Sequence, residues 1–191
     1  MGQIFIKKMD GTVIPLANRS QGVAIKQATQ TWELLGADMV NVSIDAPLPQ
    51  EYRIGDRITV FGRTYSLNRL PSARKTGSMA YSYNLEFEGM QYALARATFD
   101  LTIDTTKNKL QDVKADSLTG DLRRFATVLI SNANRVFPDE WVLGSCPDTD
   151  GDKTLTFGEA DNCLSVLHNL CSTFEVEYEI VQKDGTNTIH F

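Results

Sequence analysis

The residues of this chain that could most readily bind a metal ion lie in one acidic stretch, DTDGDKTLTFGE. Compared with a calcium-binding loop, its acidic residues fall at positions 1, 3, 5 and 12, which are Asp148, Asp150, Asp152 and Glu159. Carboxylate oxygens at these positions are the ligands that Ca²⁺ takes in a helix-loop-helix site. The spacing therefore makes this stretch a candidate cation site.

Two features of the same stretch favour a plain turn. Lys153 occupies position 6, where the calcium motif requires glycine, and its ammonium group would oppose the cation. The preceding segment, WVLGSCP, contains Gly144 and Pro147 and does not predict an entering helix. Aspartate also favours turns because its side chain bonds to nearby backbone. We predict a polar turn between two strands, and a cation site at the three aspartates is the alternative.

The other residue types that could catalyse a reaction form no recognisable constellation. His168 and His190 are far apart in sequence, and His168 lies among the apolar residues of a predicted helix. No P-loop, GxGxxG, GxSxG or HExxH motif occurs. Carboxylates are too numerous for any pair to stand out. We therefore expect no catalytic residue and no cofactor here, with an unrecognised cell-wall hydrolase site as a third alternative.

The three cysteines are predicted to be reduced thiols. Cys146, Cys163 and Cys171 form no CxxC pair, and an odd number is a poor disulfide framework. At least two of them fall on the apolar face of a predicted helix, where a thiol packs as a small hydrophobic group.

Composition limits the classes of partner. The 191 residues carry 19 basic and 24 acidic side chains, a net charge of −5, without the basic surplus of a nucleic-acid-binding protein. No segment reaches the roughly 18–20 apolar residues that span a bilayer. The N-terminal apolar residues alternate instead of forming the core of a signal peptide. We expect neither a nucleic-acid-binding site nor a membrane segment.

The first half of the chain predicts antiparallel strands. Two hairpins are expected, one turning at Asp10-Gly11 and one at Gly62-Arg63, with a strand region over residues 32–44 between them. Residues 17–30 are polar and weakly patterned, and the basic segment 68–80 is expected to be a solvated loop. The stretch YSYNLEFEG alternates strictly, which predicts one buried and one wet face. The buried face comprises Tyr81, Tyr83, Leu85 and Phe87, and the wet face comprises Ser82, Asn84, Glu86 and Glu88.

The second half predicts two helices and four strands. Apolar residues recur at steps of three and four over residues 119–136, which predicts an amphipathic helix with Thr119 as its N-cap. A second helix is expected over residues 163–174. Alternation then resumes from Val176, and Asp184-Gly185 is expected to turn the chain into a last strand that ends at Phe191. Because this strand is apolar to its end, we expect the natural protein to continue.

These patterns predict an α+β protein with two subdomains. Residues 1–104 are expected to form a β-rich, antiparallel, barrel-like subdomain, and residues 105–118, polar and without a period, a linker. Residues 119–191 are expected to form a smaller α/β subdomain with two helices.

Residues 50–191 also resemble a known family. The features are G-D-x-I-x-V-x-G, Y-x-L-x-x-L-P, a K-T-G loop and Y-x-Y-x-L-x-F-E-G-x-x-Y, followed by W-V-L-G, K-T-L-T-F and C-L-x-V-L-x-x-L-C-x-x-F. This combination resembles the N-terminal region of phage and prophage tail hub proteins, which include baseplate hubs and the prophage tail endopeptidase or tail-associated family. The motifs are patterns of apolar and turn residues, and none is a catalytic signature.

The resemblance implies a mechanical role. Proteins of this kind form a ring, usually a trimer, at the distal end of the tail tube, where they contact one another and other tail proteins. It implies assembly in the host cytoplasm, a place in the virion tail, and any enzymatic or receptor-binding activity further toward the C-terminus. The wet face of YSYNLEFEG would then point to a lumen or a neighbour. The rival interpretation, from another class, is a secreted binding module stabilised by calcium.

Overall fold

The computed structural model describes residues 3–33, 35–77, 80–101, 117–183 and 185–191. They divide into two compact units, Met1–Met90 and Gln91–Phe191. Antiparallel strands dominate the first unit, and helices and strands share the second, which confirms the α+β class. Most of the predicted linker, residues 105–116, lies outside the described residues. No helix in the described part of the chain is long and apolar enough to cross a membrane.

The first unit is built on one eight-stranded sheet. Its strands are β1 (Phe5–Lys7), β2 (Val13–Pro15), β3 (Ala24–Trp32), β4 (Asp38–Ala46), β5 (Arg57–Val60), β6 (Arg63–Leu67), β7 (Ser72–Gly77) and β8 (Ala80–Gly89). The order is β2-β1-β5-β6-β8-β4-β3, and β7 pairs with β8 beside β6. Every pairing between these strands is antiparallel.

The predicted barrel-like form is an open sheet in the structure. The two end strands, β2 and β3, do not pair with each other among the described strands. One reason lies in the sequence of β2, which has only three residues and ends at Pro15. Because proline has no backbone N–H, it cannot extend a hydrogen-bonded ladder.

The predicted buried face of β8 is confirmed. Tyr83, Leu85 and Phe87 lie in the core of the first unit, and Tyr81 packs at its margin. The wet face is wrong at one position, because Glu88 is only 7% exposed. Its Oε2 accepts a hydrogen bond of 2.7 Å from Asn68 Nδ2, which satisfies a carboxylate that would otherwise be costly to bury.

Both hairpin turns differ by one residue from the prediction. The first has a three-residue loop, residues 9–11, in which Gly11 has a φ of 86° and the Thr12 N–H donates to Asp10 Oδ1. In the second, Val60 pairs with Arg63, so the turn residues are Phe61-Gly62 and not Gly62-Arg63. Both central residues there have positive φ, 54° and 74°, as a type I′ hairpin turn requires.

Two strands were missed for the same physical reason. The structure has β3, Ala24–Trp32, beginning in the weakly patterned region 17–30 and reaching the start of the predicted strand region, and β7 lies within the predicted basic loop. Most residues of β3 and all six of β7 are exposed on both faces. A strand that buries neither face has no need of alternating apolar residues, so its sequence carries no period.

The second unit packs two helices with two small sheets. After a 3₁₀ helix, Met90–Arg96, its elements are β9 (Ser117–Gly120), α1 (Leu122–Val136), β10 (Trp141–Leu143), β11 (Lys153–Thr156), α2 (Cys163–Phe174), β12 (Glu179–Lys183) and β13 (Thr186–His190). One sheet has the order β10-β13-β12, with β10 parallel to β13, and the other pairs β9 with β11. Phe125, Leu129, Trp141, Leu167 and Ile189 are among the fully buried residues of the core.

Side-chain hydrogen bonds at the N-caps fix where the two helices begin. Asp121, and not the predicted Thr119, caps α1, and its Oδ1 accepts a bond of 2.8 Å from the Arg124 N–H. Thr119 is instead held in β9, where its hydroxyl lies 2.7 Å from that of Thr154. Asn162 begins α2 with a capping box. At the last turn Gly185 has a φ of 86°, and Asp184 lies outside the described residues.

The buried face of β8 yields a prediction about stability. Phe87→Ala should lower the free energy of unfolding of the first unit by about 3–5 kcal/mol, because it leaves a cavity in the core. Glu86→Ala should cost less than about 0.5 kcal/mol, because its partner Arg69, at 3.4 Å, is well exposed. Urea unfolding of the two variants measures both. Equal losses would mean that the alternation does not define the buried face.

Candidate functional site

The acidic stretch lies in an irregular, exposed connection. Asp148, Asp150 and Asp152 are all exposed between β10 and β11, and Gly151 between them has a φ of 72°. Glu159 lies beyond β11 and is also exposed. Within the described residues, no three or more His, Cys, Asp or Glu side chains are grouped so that they could hold a metal ion. The choice between a turn and a cation site at these aspartates stays a prediction.

The two histidines make structural contacts. His190 Nδ1 lies 3.1 Å from the Ser145 N–H and 2.9 Å from its hydroxyl. Because a backbone N–H can only donate, His190 Nδ1 accepts a hydrogen bond from it. The lone pair of this nitrogen is therefore already engaged, and His190 is poorly placed to act as a base toward the Ser145 hydroxyl. His168 stacks on Tyr178 with ring centroids 6.0 Å apart, and burial lowers the pKa of the imidazole.

The three cysteines are free and buried, which confirms the prediction of reduced thiols. Burial raises the pKa of Cys163 and of Cys171 to about 12, and it also raises the pKa of Cys146. Since the thiolate is the reactive form, these groups are poor nucleophiles at neutral pH. They belong to the packing of the second unit.

One pocket of about 200 Å³ opens in the first unit beside β2. Its lining includes the apolar residues Ile6, Leu16 and Val23 and the phenol of Tyr52. Burial raises the pKa of Tyr52 to about 12, so this phenol is not a base near neutral pH. The volume is below the roughly 300 Å³ at which ligand pockets of drug-sized molecules begin. The pocket suits one side chain better than a substrate.

The candidate sites for contact with another protein lie on the surface of the first unit. The end strand β3 has nine residues and, among the described strands, pairs only with β4, so its outer backbone groups face away from the sheet. Such an edge is a ready site for pairing with another chain, and natural sheets usually shorten, cover or charge it. The opposite end strand, β2, is short and carries Pro15, whereas β3 has no proline and only Lys26 as a charge.

Trp32 stands at the end of the long β3 edge with 62% of its surface exposed. The Arg63 guanidinium lies 5.5 Å from the indole centroid and donates to Asp38 Oδ2 at 3.2 Å. On the same strand, Gln30 Nε2 donates to the Tyr65 hydroxyl at 2.8 Å. These contacts fix an aromatic surface with a cation beside it, a combination enriched where proteins bind one another.

Phe61 is unusual in both conformation and exposure. It occupies the first turn position of the β5–β6 hairpin with a φ of 54°, a region that costs a residue with a Cβ roughly 1–2 kcal/mol. Its side chain is 74% exposed, so burial in this chain does not repay that cost. Asparagine or glycine is the usual choice there. A strained and exposed phenyl ring of this kind is a candidate contact residue.

Charge is distributed unevenly between the two units. Residues 1–90 carry 10 Lys and Arg and 8 Asp and Glu, a formal net charge of +2. Residues 91–191 carry 9 and 16, a net charge of −7. The total of −5 conceals this difference in sign between the two units.

Solved structures of tail proteins resemble this chain over nearly its whole length. The crystal structure of prophage tail protein gp18 from Listeria monocytogenes EGD-e matches 99% of this chain with a TM-score of 0.64 and 10% identity. The tail protein from Neisseria meningitidis MC58 matches 98% of it with a TM-score of 0.55 and 12% identity.

The chain has a phage tail hub-like fold. A third match, over 88% of the chain with a TM-score of 0.50 and 10% identity, is the E. coli c3393 protein, a component of the type VI secretion system. That protein is described as structurally similar to the T4 bacteriophage tail proteins gp27 and gp5. The chain covers about half of each matched structure, between 48% and 50% of its length. No family model and no curated protein sequence matches it.

The acidic connection yields a prediction about calcium. Because Lys153 replaces the glycine of the motif, millimolar calcium should leave the melting temperature of the wild-type chain equal to that in chelator. A bound ion would raise it, since a ligand that binds only the folded state stabilises that state. The control is the double variant Asp148→Asn with Asp150→Asn. A shift of several degrees in the wild type that this variant loses would establish a real cation site.

Proposed function

We propose that this chain is a structural part of a phage or prophage tail tip, similar to a baseplate hub, and that it assembles with itself and with neighbouring tail proteins. The observation that carries the proposal is the extent of the likeness to a prophage tail protein, over 99% of the chain and therefore over both units. A likeness confined to one sheet would support only a common β module. We further propose a closed ring, a trimer in the complete protein.

The surface of the first unit supports a role in protein contacts. The open β3 edge offers backbone hydrogen bonds over nine residues, and Trp32 and Phe61 offer exposed aromatic rings. Backbone pairing at an edge gives a contact of defined register, because a slip by one residue turns every side chain to the other face. A ring that must close with fixed geometry benefits from such a contact.

The proposed mechanism is mechanical. The described residues offer no arrangement of nucleophile and base better than Ser145 with His190, whose Nδ1 already accepts from the backbone. We therefore assign no reaction to this region. The matched structures are about twice as long as this chain, and an enzymatic or receptor-binding activity of the complete protein would belong to its other parts.

The place of action follows from the same proposal. A tail-tip component is incorporated in the virion tail, and we propose assembly in the host cytoplasm before release. The calcium-stabilised binding module is the weaker candidate, because its evidence is confined to the exposed aspartates between β10 and β11. Lys153 at the glycine position stands against it.

A substitution of Phe61 tests this proposal. Phe61→Asn should raise the melting temperature by several degrees, because asparagine tolerates positive φ and about 1 kcal/mol of strain is relieved. The same change should weaken ring formation by the complete protein, measured by light scattering at tens of micromolar, because it removes an exposed phenyl ring from the contact.

Gly62→Ala is the matched control. Its φ is 74° and a Cβ there meets no atom within 4 Å, so alanine adds strain without a clash. It should lower the melting temperature and leave ring formation intact. If Phe61→Asn stabilises the chain and assembly is unchanged, Phe61 is not a contact residue. A complete protein that remains monomeric even as the wild type would refute the proposed function itself.

A further inference from the structure

The pocket beside β2 combines an apolar interior with polar residues at the surface. Its apolar lining includes Ile6, Leu16 and Val23, which are buried, and Ile14, which is 39% exposed. The polar residues that also line it are Asn18, Gln21, Gln50 and Glu51, of which Gln21 and Glu51 are exposed. An apolar centre within a polar rim is the usual anatomy of a pocket that receives one anchor side chain of a protein partner.

Contacts within the chain hold the walls of this pocket in place. Asn18 and Val23 exchange two backbone hydrogen bonds, of 3.0 Å and 2.9 Å, which close the segment between β2 and β3. On the other side, Tyr52 packs edge-to-face on Tyr83 with ring centroids 5.4 Å apart. The Tyr83 hydroxyl also accepts a bond of 2.9 Å from the Gln50 N–H. The pocket is therefore formed before a partner arrives, which lowers the entropic cost of binding.

The volume of the pocket suits a phenyl ring. It is about 200 Å³, and a dry apolar cavity of about 150 Å³ is enough to bind benzene. The indole of Trp32 is larger than a phenyl ring, and the Arg63 guanidinium already lies 5.5 Å from its centroid. A phenylalanine side chain is therefore the better occupant.

Phe61 is the exposed apolar side chain best prepared to fill such a pocket. The most exposed large apolar side chains in the described residues are Phe61 and Leu70, each at 74%, and Met9, at 71%. Met9 lies against Gly55, where a Cβ would be 2.8 Å from its sulfur. Leu70 lies in the irregular segment between β6 and β7.

The turn that carries Phe61 is held rigidly by its two strands. Val60 pairs with Arg63 across the hairpin, and the hydroxyls of Thr59 and Thr64 lie 3.2 Å apart behind the turn. A two-residue turn between paired strands leaves the backbone of Phe61 little freedom. Its ring can thus be inserted with little further loss of conformational entropy.

We propose that Phe61 of one copy inserts into the pocket beside β2 of a second copy. The inference rests on the proposed function, for which it names the partner and both surfaces. Burial of the ring in the pocket offsets the strain of a φ of 54°, which its exposure in a single copy does not.

The insertion has a consequence for symmetry. The Phe61 turn joins β5 to β6, whereas the pocket lies beside β2, and β1 separates β2 from β5 in the sheet. The contact therefore joins different surfaces of the two copies. A copy that gives its ring to one neighbour can receive the ring of another, and such head-to-tail contacts close into rings when the rotation permits.

Trapping by a cross-linker tests the insertion, because it detects weak association of the chain. The donor copy carries Thr59→Cys, two residues before Phe61, and the acceptor copy carries Gln21→Cys in the pocket lining, both at exposed positions. The two are mixed with a short bis-maleimide, and the mixed dimer is measured by mass. In the control mixture Ala28→Cys, at an exposed alanine on β3, replaces Gln21→Cys. The native cysteines are buried, and the wild-type chain gives their background.

The insertion predicts a severalfold excess of mixed dimer for Gln21→Cys over Ala28→Cys. Phe61→Asn should abolish the excess when the donor copy carries it and should leave the excess when the acceptor copy carries it. Ile14→Ser, which removes apolar lining from the pocket, should have the opposite dependence. Leu70→Asn in the donor copy, which removes an equally exposed apolar side chain, should leave the excess unchanged.

Two results would overturn the insertion. One is the absence of any excess, and the other is an excess that responds equally to Phe61→Asn in either copy. If the complete protein still forms a ring in that case, only the assignment of Phe61 to this pocket fails and the proposed function stands. A complete protein that remains monomeric would instead refute the proposed function.

Discussion

A β-strand has hydrogen-bonding groups on two edges, and the organisation of this chain depends on which edges find partners. In the first unit β8 is paired on both sides, with β4 on one and with β6 and β7 on the other, and its Leu85 and Phe87 are among the fully buried residues of the core. At the ends of the sheet pairing stops, at β2 because of Pro15 and at β3 without any comparable obstacle. An exposed edge such as that of β3, which has no second strand partner among the described residues, is a natural place for another chain to pair, because pairing there gives both register and orientation.

The same constraint explains which elements were predictable from the sequence. The alternation of β8 and the three-and-four spacing of α1 and α2 exist because each of these elements buries one face, and each was predicted close to its observed bounds. Most residues of the edge strand β3 and all residues of β7 are exposed, so their sequences carry no alternating pattern that would predict a strand. The hairpin turn at Phe61 was misplaced by one residue, because Gly62-Arg63 has the more usual composition, whereas the register in the structure requires positive φ at Phe61.

Some candidate functional residues could be identified from the sequence, and others only from the structure. From the sequence, the carboxylates with calcium-loop spacing were the leading candidates, because a sequence motif is defined by spacing. In the structure they are exposed in an irregular connection. The strain at Phe61 and the cation beside Trp32 depend on φ and on contacts across strands, neither of which a sequence displays. The opposite charges of the two units were present in the sequence, but they became meaningful only when the boundary at residue 90 was known.

We propose that this fold serves to build a ring at a tail tip, and images of the complete protein test this proposal most directly. Negatively stained particles of the purified complete protein, examined by electron microscopy, should be closed rings of uniform size with a central opening and threefold symmetry. Particles that remain single copies at every concentration, or that grow into open chains without closing, would contradict the account.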